Sequence, residues 1–326
     1  LFRSRDSLKG VSDKFLEQLK KDNTTGKYII HPYGNHYLVI MTSCEVEETR
    51  KITFKAYSNR GKPGNSELLK EITKFRKEVA KILGYQSHVD FETEILMAKN
   101  ATNVRNFLED LGNRLRPKLK EENQEYLQIK LKKCREDSDN CTKELQFWDH
   151  LFLDTQIKKD NYTIDESFIK EYFPIRVVQM KIFEIFQQLL GLKFEEINVK
   201  TWAENVTSYR VNDSRTGEPI GFFFLDLYPR VGKYKGAAEV PIQPSCIRPN
   251  GSRQLPIAAL MTNFPKPTAT SHGLLTFREM KTFFHEFGHV LHEICSKTNV
   301  SYFSGTKVER DFVEAPSQML ENWLSE

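Results

Sequence analysis

The chain has 326 residues, of which 39% are hydrophobic and 28% charged, and a formal net charge of +4. That is the composition of a globular protein long enough for one large domain or two. Lys and Arg are interleaved with Asp and Glu, so no basic run offers itself to nucleic acid, and no apolar segment approaches the length of a membrane span; the longest, around 220–227, is cut by Asp226.

In chain order, residues 1–175 read as mostly helical and strongly charged. Leu69, Ile72, Phe75, Val79 and Ile82 recur at helical spacing, and Gly84 stops the run as a C-terminal cap should. Further helices are expected near 88–98, 102–133 and 142–157, and Phe173-Pro174 marks a break. An apolar helix over about 175–190 ends at Gly191. The texture then changes: 206–211 and 220–227 read as paired strands around a turn at 213–218. Pro and Gly cluster from 229 to 267, which predicts loops and short strands, with a further strand over 257–264. A helix opened by Thr276 follows, then a loop at 301–306 and a last helix from about 309.

The helix after Thr276 carries the strongest chemical signal. Thr276 and Glu279 form a T-x-x-E capping box, and Met280, Phe283, Phe284, Phe287, Val290, Leu291 and Ile294 follow helical apolar spacing. Inside it lies His285-Glu286-Phe287-Gly288-His289, an H-E-x-x-H motif. Residues four apart share a helix face, so both histidines can close on one Zn²⁺, with Glu286 beside the metal as general base toward activated water. This is the pattern of a metallopeptidase.

A third protein ligand is needed. His292 shares the face, but seven residues rise about 10.5 Å, too far for His285 and His292 to share one ion; it reads as a packing or supporting histidine. The metzincin pattern fails, because His292 stands at its Gly position and Cys295 at its last His position. Glu309, Asp311, Glu314 and Glu321 remain, and Pro316 gives Glu314 a small edge over Asp311, since a kink there can re-aim the last helix. Glu321 lies two turns beyond on the same face, within reach of a supporting role; a solvated charge is its simpler reading.

The strings H-E-F-G-H-V-L-H-E-I and F-S-G-T-K-V-E-R-D-F-V-E-A-P-S-Q-M-L-E-N-W closely resemble the thimet oligopeptidase and neurolysin family of zinc oligopeptidases. So do F-F-F-L-D-L-Y-P-R-V-G-K-Y-K-G-A-A (222–238), M-T-S-C-E-V-E-E-T-R (41–50) and the V-A-K-I-L-G-Y segment ending at Tyr85. The resemblance implies one Zn²⁺ held by His285, His289 and Glu314, with Glu286 as base. It implies a mainly α, zincin-type fold of two lobes around a deep channel, with a small sheet near the metal helix and short peptides as substrates. Residues 1–175 would be part of a helical lobe and 176–326 the catalytic portion. Tyr228, Arg230 and Tyr234 are candidates for lining the channel, and the edge of the 222–238 segment for pairing with an extended peptide. No nucleic-acid or membrane partner is expected, and the chain reads as a monomer.

Members of that family run further at both ends, and the part beyond residue 326 carries tyrosines and a histidine that steady the substrate carbonyl and oxyanion. The chain starts at Leu1 and stops just after Trp323. Both ends therefore read as those of a fragment, which brings in a second expectation, a zinc- or peptide-binding piece of impaired activity. The motif helix would then expose apolar residues normally covered. Five cysteines (Cys44, Cys134, Cys141, Cys246, Cys295), odd in number and without C-x-x-C pairs, favour a reduced, intracellular setting, read as cytoplasmic with mitochondrial and secreted as alternatives. Against this, Asn23, Asn100, Asn140, Asn161, Asn205, Asn212, Asn250 and Asn299 each begin an N-x-S/T sequon. The simpler reading of these is a surface never exposed to glycosylation.

Overall fold

The computed structural model describes residues 1–136, 142–161, 169–269 and 271–324. It divides into two units, Leu1–Glu94 with Ala98–Ile164, and Ile95–Met97 with Asp165–Glu326. Among the described residues, no helix is long and apolar enough to cross a membrane.

The first unit is helical apart from a two-stranded ribbon, β1 (Phe2–Arg3) against β2 (Tyr28–Ile29). Its helices are α1 (Asp13–Leu16), α2 (Gly34–Ser43), α3 (Glu47–Ser58), α4 (Gly64–Ile82), α5 (His88–Thr93), α6 (Ala101–Glu136) and α7 (His150–Asn161). Leu8, Val11, Phe15, Leu16, Leu19, Ile30, Ile40 and Cys44 form its apolar core. A second, charged core lies nearby. Asp149, fully buried, accepts from the Arg50 guanidinium at 2.9 Å and from the Lys130 ammonium, and Lys130 also pairs with Glu47 at 3.3 Å. This network explains why the helix expected over 142–157 starts only at His150. Thr142, Glu144 and Gln146 spend their polar groups on Glu47, Lys130 and Asp149 instead of on a helical ladder. The α4 stripe forms a helix as its spacing predicts, yet Phe75 stays 59% and Ile82 83% exposed.

The second unit opens on α8 (Ile175–Leu190), started at Pro174 and closed by Gly191 in the left-handed conformation. Five strands follow into one sheet: β3 (Leu192–Ile197), β4 (Thr207–Asp213), β5 (Pro219–Asp226), β6 (Ala238–Gln243) and β9 (Ile257–Met261), in the order β3-β4-β5-β9-β6. The predicted 206–211/220–227 hairpin is β4 against β5, antiparallel, with Thr207 opposite Leu225. Only β5 and β9 run parallel. A short hairpin, β7 (Cys246–Ile247) and β8 (Arg253–Gln254), leaves the sheet between β6 and β9. Helices α9 (Phe277–Ile294) and α10 (Glu314–Glu321) complete the unit. Roughly half of the described residues are helical, with this small mixed sheet beside them.

Three expectations are corrected. The segment from Phe222 cannot offer a free edge, because β5 pairs on both sides; the terminal strand next to the motif helix is β6, which begins at Ala238. The apolar face of α9 is not exposed: Phe283, Phe287, Val290 and Ile294 are buried with Phe186, Phe223 and Leu260 in one aromatic-rich core. The last helix begins at Glu314 rather than near 309, so Pro316 sits in its first turn. There the proline's missing N–H would have had no helical partner in any case.

Candidate metal centre

Helix α9 starts where its sequence says it should. Thr276 Oγ1 accepts from the Glu279 N–H at 3.1 Å, and Glu279 Oε2 accepts from the Thr276 N–H at 2.8 Å, closing the capping box. The apolar stripe then fixes which way the helix faces. With Phe283 and Phe287 turned into the core, His285 and His289 point to the other side, their rings 4.9 Å apart.

Helix α10 lies across this face, and the motif's own glycine allows the approach. A Cβ at Gly288 would stand 2.8 Å from Ser317 Cα, closer than any side chain tolerates. The close contact brings Glu314, at the first position of α10, over the two histidines. Glu314 Oε2 lies 3.2 Å from Nε2 of His285 and 3.2 Å from Nε2 of His289. All three ligand atoms fall within 4.8 Å of one another, a grouping found once among the described residues. Two atoms bound tetrahedrally to zinc at ~2.1 Å are themselves about 3.4 Å apart, so the spacing and the His–His–carboxylate donor set both fit Zn²⁺. Glu314 is half-exposed, which leaves one side of the cluster open.

The surroundings orient these side chains. His285 Nδ1 lies 2.7 Å from Glu321 Oε1, and Glu321 Oε2 is paired with Lys281 at 3.0 Å. Burial works against the Glu321 charge, yet the hydrogen bonds from Lys281 and His285 hold its carboxyl below the usual carboxylate range. Glu321 is therefore not the solvated charge its sequence position suggested. Asp311 is removed from the competition for third ligand because its carboxylate accepts the Met97 N–H at 2.8 Å. His292 stands apart from the cluster, its ring 6.3 Å from Phe312, and burial followed by the nearby His289 lowers its pKa.

Glu286 turns toward the sheet. Its Oε2 accepts the Glu239 N–H of β6 at 2.9 Å, so the carboxylate is tied to the terminal strand. Sequence reasoning missed Glu239. Its carboxyl is pushed up to about 8 by burial and by the charges of Glu293 and Glu286, against a hydrogen bond from Thr306. The only local signal was an acid at the second position of a mostly apolar strand.

Tyr228, Arg230 and Tyr234 lie on the turn between β5 and β6. Tyr228 packs on the core, Arg230 pairs with the buried Asp226 at 2.6 Å, and Tyr234 is exposed and folds over Gly236. Among the described residues, none of the three is hydrogen-bonded to His285, Glu286, His289 or Glu314.

Comparison with known proteins places the sequence in a family. The chain is 37% identical over 326 residues to a thimet-like oligopeptidase of Dictyostelium discoideum, covering 98% of this chain and 48% of that protein. It is 32% identical to a probable thimet oligopeptidase of Arabidopsis thaliana (100% and 45%) and 32% identical to saccharolysin of Saccharomyces cerevisiae (98% and 47%). The chain thus spans about half the length of these relatives. Residues 40–326, which include every residue of the metal cluster, match the sequence profile of peptidase family M3, and the chain belongs to that family.

Proposed function

We propose that this chain carries the zinc site of an endopeptidase that hydrolyses short oligopeptides, its second unit being the catalytic portion of a zincin-type enzyme. One observation carries the reading: Nε2 of His285, Nε2 of His289 and Oε2 of Glu314 converge, with Glu286 next to the first of them. When bound there, Zn²⁺ supplies Lewis acidity toward a peptide carbonyl and acidifies water. The remaining work belongs to the chain. Glu286 receives the proton of the attacking water on its carboxylate and passes it to the leaving amine. The Glu239 N–H holds that carboxylate in place, and Glu321 fixes the orientation of His285 through Nδ1. Tyr228, Arg230 and Tyr234 are proposed to border the peptide path, and short peptides fit the oligopeptidase names of the relatives.

A second reading of the same cluster is zinc and peptide binding without turnover. Zinc stoichiometry and cleavage of a quenched fluorescent short peptide separate the two. One zinc per chain and cleavage that disappears in Glu286→Gln, with zinc retained, is the expected result. Peptide affinity without cleavage selects the second reading, and cleavage unchanged by Glu286→Gln defeats the mechanism.

A further inference from the structure

We infer that this chain matures in an oxidising secretory compartment and is N-glycosylated there, at Asn23, Asn205, Asn250 and Asn299. Three independent observations converge on it.

The first is frequency. With 18 Asn and 40 Ser or Thr in 326 residues, chance placement yields about two N-x-S/T sequons, and the chain has eight, none with Pro at the middle position.

The second is placement. Asn23 lies in the 22–26 turn, whose Thr25 hydroxyl donates to Asp22. Asn205 lies in the turn that precedes β4, and Asn299 in the loop after α9. Asn250 is at the tip of the β7–β8 hairpin, where both the N–H and the hydroxyl of Ser252, the sequon's third residue, donate to Asn250 Oδ1 at 3.0 and 2.8 Å. All four asparagines are exposed, and none of their Nδ2 atoms donates a hydrogen bond among the described residues. Two other sequons behave differently. Asn212 is 8% exposed within β4, with Nδ2 directed at Glu195 Oε2 at 3.4 Å, and Asn100 is half-buried with Oδ1 accepting the Asn103 N–H at the start of α6. Asn140 and the side chain of Asn161 lie outside the described residues.

The third is redox. Cys134 is disulfide-bonded, against the reduced state its sequence context favoured, and structural disulfides belong to oxidising compartments.

The modification is a group transfer. Nδ2 of the asparagine attacks C1 of a lipid-linked glycosyl diphosphate; the C1–N bond forms as the C1–O bond to the diphosphate breaks, and the amide gives up one proton. Transfer acts on the chain before it folds. Asn212 is buried in the folded β4, with no room for a glycan, so folded molecules carry that asparagine bare, which provides an internal control.

The test uses protein purified from its own source, digested with and without peptide-N-glycosidase in heavy-oxygen water, and read by peptide mass spectrometry. We expect heavy-oxygen aspartate at Asn23, Asn205, Asn250 and Asn299 only in the treated sample, none at Asn212, and Cys134 alkylated only after reduction. Label at none of the four, or at Asn212 as heavily as at them, overturns the proposal. Neither result depends on peptidase activity.

Discussion

The glycine inside H-E-F-G-H supports a quantitative prediction. Gly288→Ala would put a methyl 2.8 Å from Ser317 Cα, 3.3 Å from Ser317 Cβ and 3.4 Å from Leu320 Cδ1. Carbon atoms pack at about 3.5–4.0 Å, so α10 must retreat by about 1 Å at Ser317, one turn from Glu314. Metal–ligand distances tolerate only about 0.2 Å. The metal-free chain loses only about 0–2 kcal/mol, because overpacking costs about 1–3 kcal/mol while Ala in place of Gly returns about 1 kcal/mol of helix propensity. The loss should appear instead in zinc affinity, by about 10–100-fold, the range seen when the support of a metal ligand is disturbed. Competition with a chromogenic chelator reads the affinity, and urea unfolding of zinc-free protein reads the stability. Wild-type zinc affinity together with a gain of about 1 kcal/mol in the metal-free protein would refute the reasoning, since α10 would then not depend on the glycine for its seat.

Three further changes have defined outcomes. Glu321→Ala should weaken zinc binding about 10–100-fold by freeing His285 Nδ1, with helix content unchanged by circular dichroism; unchanged affinity would return Glu321 to the role of a surface charge. Glu239 binds its proton more tightly folded than unfolded, so its contribution to stability is full below about pH 4.5 and is lost as the pH rises to about 8. Glu239→Gln should therefore melt like wild type near pH 5 and above it near pH 9, and a difference that does not vary with pH would contradict this. Asp149→Ala leaves Arg50 and Lys130 buried without their shared partner and should destabilise the first unit by about 3–5 kcal/mol in chemical unfolding, where a loss under about 1 kcal/mol would count against the network.

How much could be read in advance followed the range of the interactions. The capping box, the stripe and the two histidines of α9 are settled within one helix, and the sequence displayed all of them. The β4–β5 hairpin was equally plain because its partners are adjacent in the chain. Which acid stands over the two histidines was ambiguous among four, since the choice rests on tertiary contacts: Gly288 against Ser317 draws Glu314 inward, and the Met97 N–H takes Asp311 away. Glu239 was invisible for a similar reason. Its part depends on which N–H of β6 faces α9, and that is set by pairing with β9. In the first unit, buried polar contacts to Asp149 overrode the helical propensity of 142–149.

Glu293, 1% exposed, sits one turn beyond His289 and holds the chain just after α9. Ser304 Oγ donates to its Oε1 at 3.2 Å and the Thr306 N–H to its Oε2 at 3.1 Å, while Gly305, at φ +59°, passes so close that any Cβ would overlap the carboxylate. His289 and Glu314 are 25 residues apart, but with this clasp shut only eight residues, from Thr306 onward, remain free to wander before Glu314. Because the entropy of closing a loop grows with the logarithm of its length, the shorter tether lowers the cost of bringing the carboxylate to the histidines by roughly 1 kcal/mol. A carboxylate outside the candidate ligand set thus tightens the cluster by leaving Glu314 fewer places to be.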